Sequence, residues 1–251
     1  MTRPARAAVL LAAACALSFG MALVETRAQS PVAVPNPSLL RTLEGRYENR
    51  EIKSGRVLGT ETFRLNAYAD GSRCILIWSN SASRGTQISA NVCVDSAFRP
   101  TDAYARYWLG GKYRGTAWLN VAGTELSVMS TVGGSVTSVA LTAPERFSVG
   151  THPISGDAWH VAAMGAPRGT TATSYTFDPS GDRSKPLQGS LVQIPVEHLP
   201  AERVTVPAGS FEARRYRLAG RTDYWVTGDD WIVVKSGGGD SERVLISLQS
   251  N

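Results

Sequence analysis

Few residues of this chain can hold a metal or act as a soft nucleophile, since its 251 residues include only three histidines and three cysteines. So low a cysteine count excludes a disulfide-dense scaffold, and without a C-x-x-C pair no zinc site or redox dithiol is implied. Also absent are a G-x-S-x-G elbow, an H-E-x-x-H pair and a G-x-x-x-x-G-K-[ST] loop, so no motif names a reaction class. Gly237-Gly238-Gly239-Asp240 is glycine-rich, but it lies between two strand-like runs with no helix after it to bind phosphate. Neither a cofactor nor a metal is therefore expected. Past residue 28 there is no apolar run long enough to span a bilayer as a helix. A repeat of roughly 40 residues, the mark of a propeller, is missing as well.

The N-terminus supplies what the rest lacks. Arg3 and Arg6 precede a run of small and apolar residues over 7–24, and Thr26 and Ala28 offer small residues three and one before a cut. Residues 1–28 thus read as a signal peptide, which puts the mature protein in the periplasm or outside the cell. Retention of this run as an anchor is the weaker alternative, because it is rich in alanine and starts almost at the terminus. Cys15, after Leu11-Ala12-Ala13-Ala14, resembles a lipid-modified cysteine. Ala12 stands where that pattern takes a bulky residue, however, and apolar residues continue after Cys15, so soluble export is favoured over lipidation.

Without residues 1–28, three arginines and one glutamate leave the totals of 26 basic and 21 acidic side chains. The remainder (26 − 3 = 23 and 21 − 1 = 20) carries a net charge near +3. A charge this small does not point to nucleic acid, which needs cations concentrated on one face. A proline-rich lead-in over 29–40 precedes a single domain over 41–251, long enough to bury one sizeable core.

That domain reads as strand after strand. Residues 57–68 meet Asp70-Gly71 before 73–78, residues 104–109 meet Gly110-Gly111 before 112–121, and 125–132 meet Gly133-Gly134 before 136–141. The second half repeats the style over 173–177, 191–196, 203–206, 211–218, 223–227, 231–235 and 243–248. The expected fold is all-β with one short helix: a large antiparallel half-barrel or barrel of more than ten strands, since an open sheet of that size curls. A hairpin through the loop 81–86 sets Cys74 almost opposite Cys93, and an oxidising compartment would join them. The other reading is two buried free cysteines.

Thr151 to His160, "THPISGDAWH", gathers two of the three histidines with an aspartate and a tryptophan. In a tight hairpin His152 and His160 would face each other, near enough to share a metal or a proton. If a helix starts at Asp157, capped by Ser155 or Asp157 and closed by Gly165, the pair separates. The stretch is therefore read as a structural corner and helix cap, ahead of a ligand-contacting wall or an acid–base site using His152, Asp157 and His160. His198 reads as a surface residue at a strand exit.

Aromatic and cationic side chains share the hairpin through Gly110-Gly111. Simple alternation puts Tyr104, Arg106, Trp108 and Tyr113 on one face and Tyr107, Lys112, Arg114 and Trp118 on the other. With Trp78 and Trp159, these are the candidate walls of a cavity for an apolar body with an anionic head. The plainer reading has rings covering the core while arginine stems lie over them.

Val206-Pro207-Ala208-Gly209-Ser210-Phe211-Glu212-Ala213, then Asp223-Tyr224-Trp225-Val226 and Trp231-Ile232-Val233-Val234-Lys235, resemble an uncharacterised family of bacterial envelope proteins. Gly59-Thr60-Glu61-Thr62-Phe63 resembles the start of such domains more weakly, and 104–165 departs from them. That family is similar in architecture to the LolA and LolB lipoprotein carriers. The resemblance implies an incomplete antiparallel barrel around a short helical plug over an apolar cavity, and it brings no catalytic residues. Taken alone, the run reads as a Pro-Ala-Gly turn followed by strands with Trp225 and Trp231 as core anchors.

Three functions follow in order of expectation. The first is a non-catalytic envelope protein binding an apolar or amphipathic small molecule or lipid in a deep apolar cavity lined by Trp and Tyr. The second is a cavity enzyme, hydrolase or lyase, and the third a structural interaction protein. An outer-membrane barrel is not expected, because the strands lack a sustained apolar-out pattern and Leu248-Gln249-Ser250-Asn251 lacks a terminal aromatic.

Overall fold

The computed structural model describes residues 37–132, 135–165, 170–178 and 187–251. Residues 1–36, which include the expected signal peptide, Cys15 and most of the expected lead-in, lie outside the described residues, as do Gly133 and Gly134. The compact unit runs from Pro37 to Asn251. Its first strand already begins at Leu39, where the lead-in was expected to continue.

Fifteen strands form one sheet: β1 (Leu39–Glu51), β2 (Val57–Tyr68), β3 (Arg73–Ser81), β4 (Thr86–Val94), β5 (Pro100–Leu109), β6 (Lys112–Ala122), β7 (Glu125–Val132), β8 (Ser135–Thr142), β9 (Ser148–Gly150), β10 (Thr171–Phe177), β11 (Gly189–Val206), β12 (Gly209–Leu218), β13 (Thr222–Thr227), β14 (Ile232–Gly238) and β15 (Ser241–Ser250). Their spatial order is 8-7-6-5-4-3-2-1-15-14-13-12-11-10-9. Every neighbour pair is antiparallel except the short parallel pair β9–β10. The chain therefore runs as one meander whose first and last strands pair at a central seam, Gly45 opposite Leu248, and the sheet stays open between β8 and β9. The expected fold class is the observed one, with one α-helix among the described residues, α1 (Trp159–Ala162).

Alternation of β-branched, aromatic and small residues explains the strands, and the inward half of each supplies the core. Phe63, Leu65, Ile75, Ile77, Ala90, Val92, Ala105, Tyr107 and Leu119 are buried on that side. The segment after β9 fills the space they enclose. A 3₁₀ turn (Ile154–Gly156) leads into α1, and Ile154, Trp159 and Val161 are buried against the sheet. This plug replaces the deep apolar cavity the sequence led us to expect.

Two local expectations change. Residues 191–196 and 203–206 are parts of one 18-residue strand, β11, because the register slips between Leu199 and Glu202 and so absorbs Pro200 at a bulge. In β6 one extra residue, Arg114, interrupts the ladder: Tyr107 pairs with Gly115, but Trp108 pairs with Tyr113. Gly115 has φ +158°, and a Cβ there would meet the Thr131 carbonyl oxygen at 2.8 Å, so the bulge depends on glycine. The insertion reverses the phase of β6 and carries Trp118 to the same face as Tyr104, 5.7 Å between ring centres.

Candidate functional site

The plug is tied at two points, neither of which the sequence reading foresaw. Glu61 on β2 sits at an inward position among Gly59, Phe63 and Leu65 and is buried. Its carboxylate accepts the backbone N–H of Ile154 (3.1 Å) and Ser155 (2.8 Å), and a short hydrogen bond from the Ser155 hydroxyl. Burial pushes its pKa up, and these bonds oppose that rise. The role of accepting backbone N–H groups, expected for Asp157, thus belongs to Glu61. No side chain caps α1. Farther along, the Trp159 indole N–H donates to the Asp230 carbonyl (3.1 Å), so Trp159 is an anchor of the plug rather than a cavity wall.

His152 and His160 do not form a facing pair across a hairpin. His160 is buried on α1, with its Nδ1 2.6 Å from the Ser148 hydroxyl. That hydroxyl also donates to the Thr173 carbonyl (3.2 Å), so it accepts the proton on Nδ1. Burial, with His152 nearby, holds the His160 pKa down at about 4 and the ring neutral. Its Nε2 lone pair then faces an Asp157 oxygen at 3.8 Å. Burial in turn raises Asp157 to about 7, offset by the hydrogen bond it accepts from the Tyr224 hydroxyl at 2.9 Å and by Arg243. A neutral ring and a carboxyl that keeps its proton toward neutral pH suit each other in a dry environment.

His152 alone of the pair is exposed. It stands at the corner before the plug with φ +75°, a region that non-glycine residues seldom adopt. Its Nε2–H donates to the Phe177 carbonyl (2.7 Å), and its ring meets Tyr107 edge-on.

From this corner opens a cleft at one mouth of the sheet. Two adjoining cavities of about 220 and 480 Å3 share Arg84, His152 and Arg243 in their walls. The smaller adds Tyr47, Ile88 and Leu109, and the larger Asp157, Arg221, Tyr224 and Ser236. Arg84, Arg221 and Arg243 form no ion pair or side-chain hydrogen bond among the described residues. The buried Ser236 hydroxyl and the Asn49 side-chain oxygen, both in these walls, also lack a partner. Three cations and a hydroxyl with unfilled valences thus face the space they share with Asp157 and Glu61. Among the described residues no three His, Cys, Asp or Glu gather as metal ligands.

The other expected site residues lie elsewhere. Trp78, Tyr104, Arg106, Trp108, Tyr113 and Trp118 line the outer face of β3–β6, because the plug occupies the inside. Arg114 is buried at the bulge. Trp231 is a core anchor as expected, whereas Trp225 is half-buried on the outer face with Arg215 over its ring at 4.8 Å. Cys74 stands directly opposite Cys93 with Cα atoms 4.1 Å apart and sulphurs at bonding distance, a disulfide-capable pair. The cleft arginines escaped the sequence reading, since they come from three places far apart in sequence: after β3, between β12 and β13, and the start of β15. Glu61 left a signal, an acid at the apolar phase of an alternating strand.

No family model matches the sequence, and no curated protein matches it. Among solved structures the chain is similar to a β-barrel-like protein of a domain of unknown function, DUF1849, from Brucella abortus, at 9% identity over 85% of this chain and 100% of that one, with a TM-score of 0.48. It is also similar to a protein with a YmcC-like fold from Bacteroides fragilis, at 9% identity over 83% of this chain and 94% of that one, with a TM-score of 0.28. Neither likeness bears on the chemistry of the cleft.

Proposed function

We propose that this is an exported, non-catalytic envelope protein that binds a small amphipathic molecule, its anionic head held in the mouth cleft. The observation that carries this reading is the convergence of Arg84, Arg221 and Arg243 on one cavity, where three cations face one acid, Asp157, and form no ion pair or side-chain hydrogen bond among the described residues. Guanidinium groups prefer phosphate or carboxylate and bind them at fixed geometry. The adjoining cavity, with Tyr47, Ile88 and Leu109, has room for a short apolar segment rather than a whole lipid. The resemblance of residues 206–235 to envelope proteins with LolA- and LolB-like architecture supports the same class. Export is supported by the leader-like residues 1–28 and by the Cys74–Cys93 pair, which an oxidising compartment would join.

Isothermal titration with hexyl phosphate, and with hexyl glucoside as an uncharged control, tests the reading. Hexyl phosphate binds, more weakly at high salt, and Arg243→Gln lowers its affinity about tenfold or more. Equal binding of both compounds, no binding of the phosphate, or indifference to Arg243→Gln would overturn the reading.

One observation favours the enzyme alternative: Asp157, with its pKa raised to about 7, stands in the cleft wall with His152. On that reading Asp157→Asn abolishes turnover of hexyl acetate and spares hexyl phosphate binding; absence of any such turnover in the unaltered protein rejects it.

A further inference from the structure

The outer face of β3–β7 presents apolar side chains to solvent in one connected sheet. Leu76 is 55% exposed, Trp78 46%, Tyr113 45%, Trp118 40% and Met129 49%. They are neighbours: Trp78 lies 5.8 Å from Trp108, and Trp108 lies 5.9 Å from Tyr113. Isolated exposed apolar residues are ordinary, but a set drawn from β3, β5, β6 and β7, with only the small polar residues of β4 between them, marks a surface that meets something.

Its centre carries one cation, Arg106, and its acids stand at the rim. In register across β1 to β7 run Glu44, Arg64, Leu76, Asn91, Tyr104, Trp118 and Met129, a row whose cation pairs with Glu44 at 3.6 Å, while Asp102 and Glu125 lie at the edges of the same face. The next row holds Thr62, Trp78, Ser89 and Arg106, without an acid. The Arg106 guanidinium lies over Tyr104 at 5.7 Å and Trp108 at 5.8 Å, a cation seated on rings at the middle of the patch. Tryptophan and tyrosine rings mixed with aliphatic groups and an unopposed arginine suit the boundary between lipid head groups and acyl chains.

We propose that this face docks the protein on an anionic lipid surface, with the tryptophans seated at head-group depth and Arg106 among the phosphates. The mouth cleft lies at the end of the same strands, since Trp78 is followed by Asn80 and Trp108 by Leu109, both in its wall. Docking would therefore bring the cleft near the membrane plane. The proposal does not depend on the cleft's ligand.

The test is flotation of the full protein, purified without detergent, with vesicles of phosphatidylethanolamine and phosphatidylglycerol, against vesicles of phosphatidylcholine. The protein floats with the anionic vesicles. The double variant Trp78→Ala with Trp118→Ala, its melting midpoint unchanged, partitions at least about tenfold less. Arg106→Gln loses about fivefold on anionic vesicles and little on phosphatidylcholine. A second measurement needs no variant: brominated phosphatidylglycerol quenches part of the tryptophan emission. Failure to float, flotation indifferent to the tryptophan pair, or absence of quenching overturns the proposal. So does a concentration-dependent dimer that the same variants dissolve in the absence of vesicle binding, since a second copy then covers the face.

Discussion

Arginine is used in opposite ways at the two ends of the sheet. Near the start of β1 and β3, Arg41 (Nε, 3.1 Å) and Arg73 (Nε, 2.8 Å) both bond the carboxylate of Asp230, which is buried beside Trp231 and whose carbonyl also holds Trp159. At the far end of the same strands, eight residues (49 − 41) and about 26 Å along β1 to Asn49, Arg84, Arg221 and Arg243 form no ion pair among the described residues, although Asp157 shares their cleft. The same side chain is a clamp where a buried carboxylate demands charge and is left without an ion pair where none does. What separates the two is the partner: one end is closed around Asp230, and the other, on the proposed function, takes its anion from outside.

The strongest break of this contrast is Asp230→Ala. It strands two cations at the closed end, and unfolding in urea should show a loss of about 3 kcal/mol. Arg243→Gln at the open end should change stability by no more than about 0.5 kcal/mol. Equal costs at both ends would erase the distinction.

A smaller effect separates the tethers of the plug. Glu61→Ala leaves the amides of Ile154 and Ser155 without their acceptor and should cost about 2 kcal/mol. Hydrogen exchange should rise at those two amides before it rises in β2.

The smallest effect is the pH dependence, because two buried groups oppose each other. Asp157 is raised from 3.8 to about 7, so between these values the unfolded chain has lost a proton that the folded one keeps, and stability falls as pH rises. His160 is lowered from 6.5 to about 4, so in that window the unfolded chain carries the extra proton, and stability rises with pH. In melting midpoints of the unaltered protein from pH 4 to 6.5 the contributions of Asp157 and His160 should largely cancel, leaving a shallow fall with pH from buried Glu61. Asp157→Asn should tilt the curve upward with pH, and His160→Gln should tilt it downward; parallel curves would refute the opposition.

Strands and their hairpins were legible because each turn carries its own chemistry. Asp70-Gly71 and Gly110-Gly111 sit where the chain reverses, and alternation sets the inward residues of β2 to β5. Pro200 misled, since proline reads as a stop and a bulge can hide it. The face of Trp118 was not legible, because one inserted residue at Arg114 inverts every later position of β6. The cleft was illegible for a different reason: its arginines sit at sequence positions 84, 221 and 243, and only the curl and the seam bring them together. The motif-like cluster at 151–160 proved mostly internal, with only His152 and Asp157 reaching the cleft.

The seam has a bearing on biogenesis. Because β1 pairs with β15, the first strand made waits for nearly the whole chain before its second edge is covered. Such distant pairings are slow, and an uncovered edge invites wrong partners in the meantime. Asn49 and Arg84 come from the early half and Arg221 and Arg243 from the late half. A chain still being made thus lacks the cleft, which is complete only with its last strand.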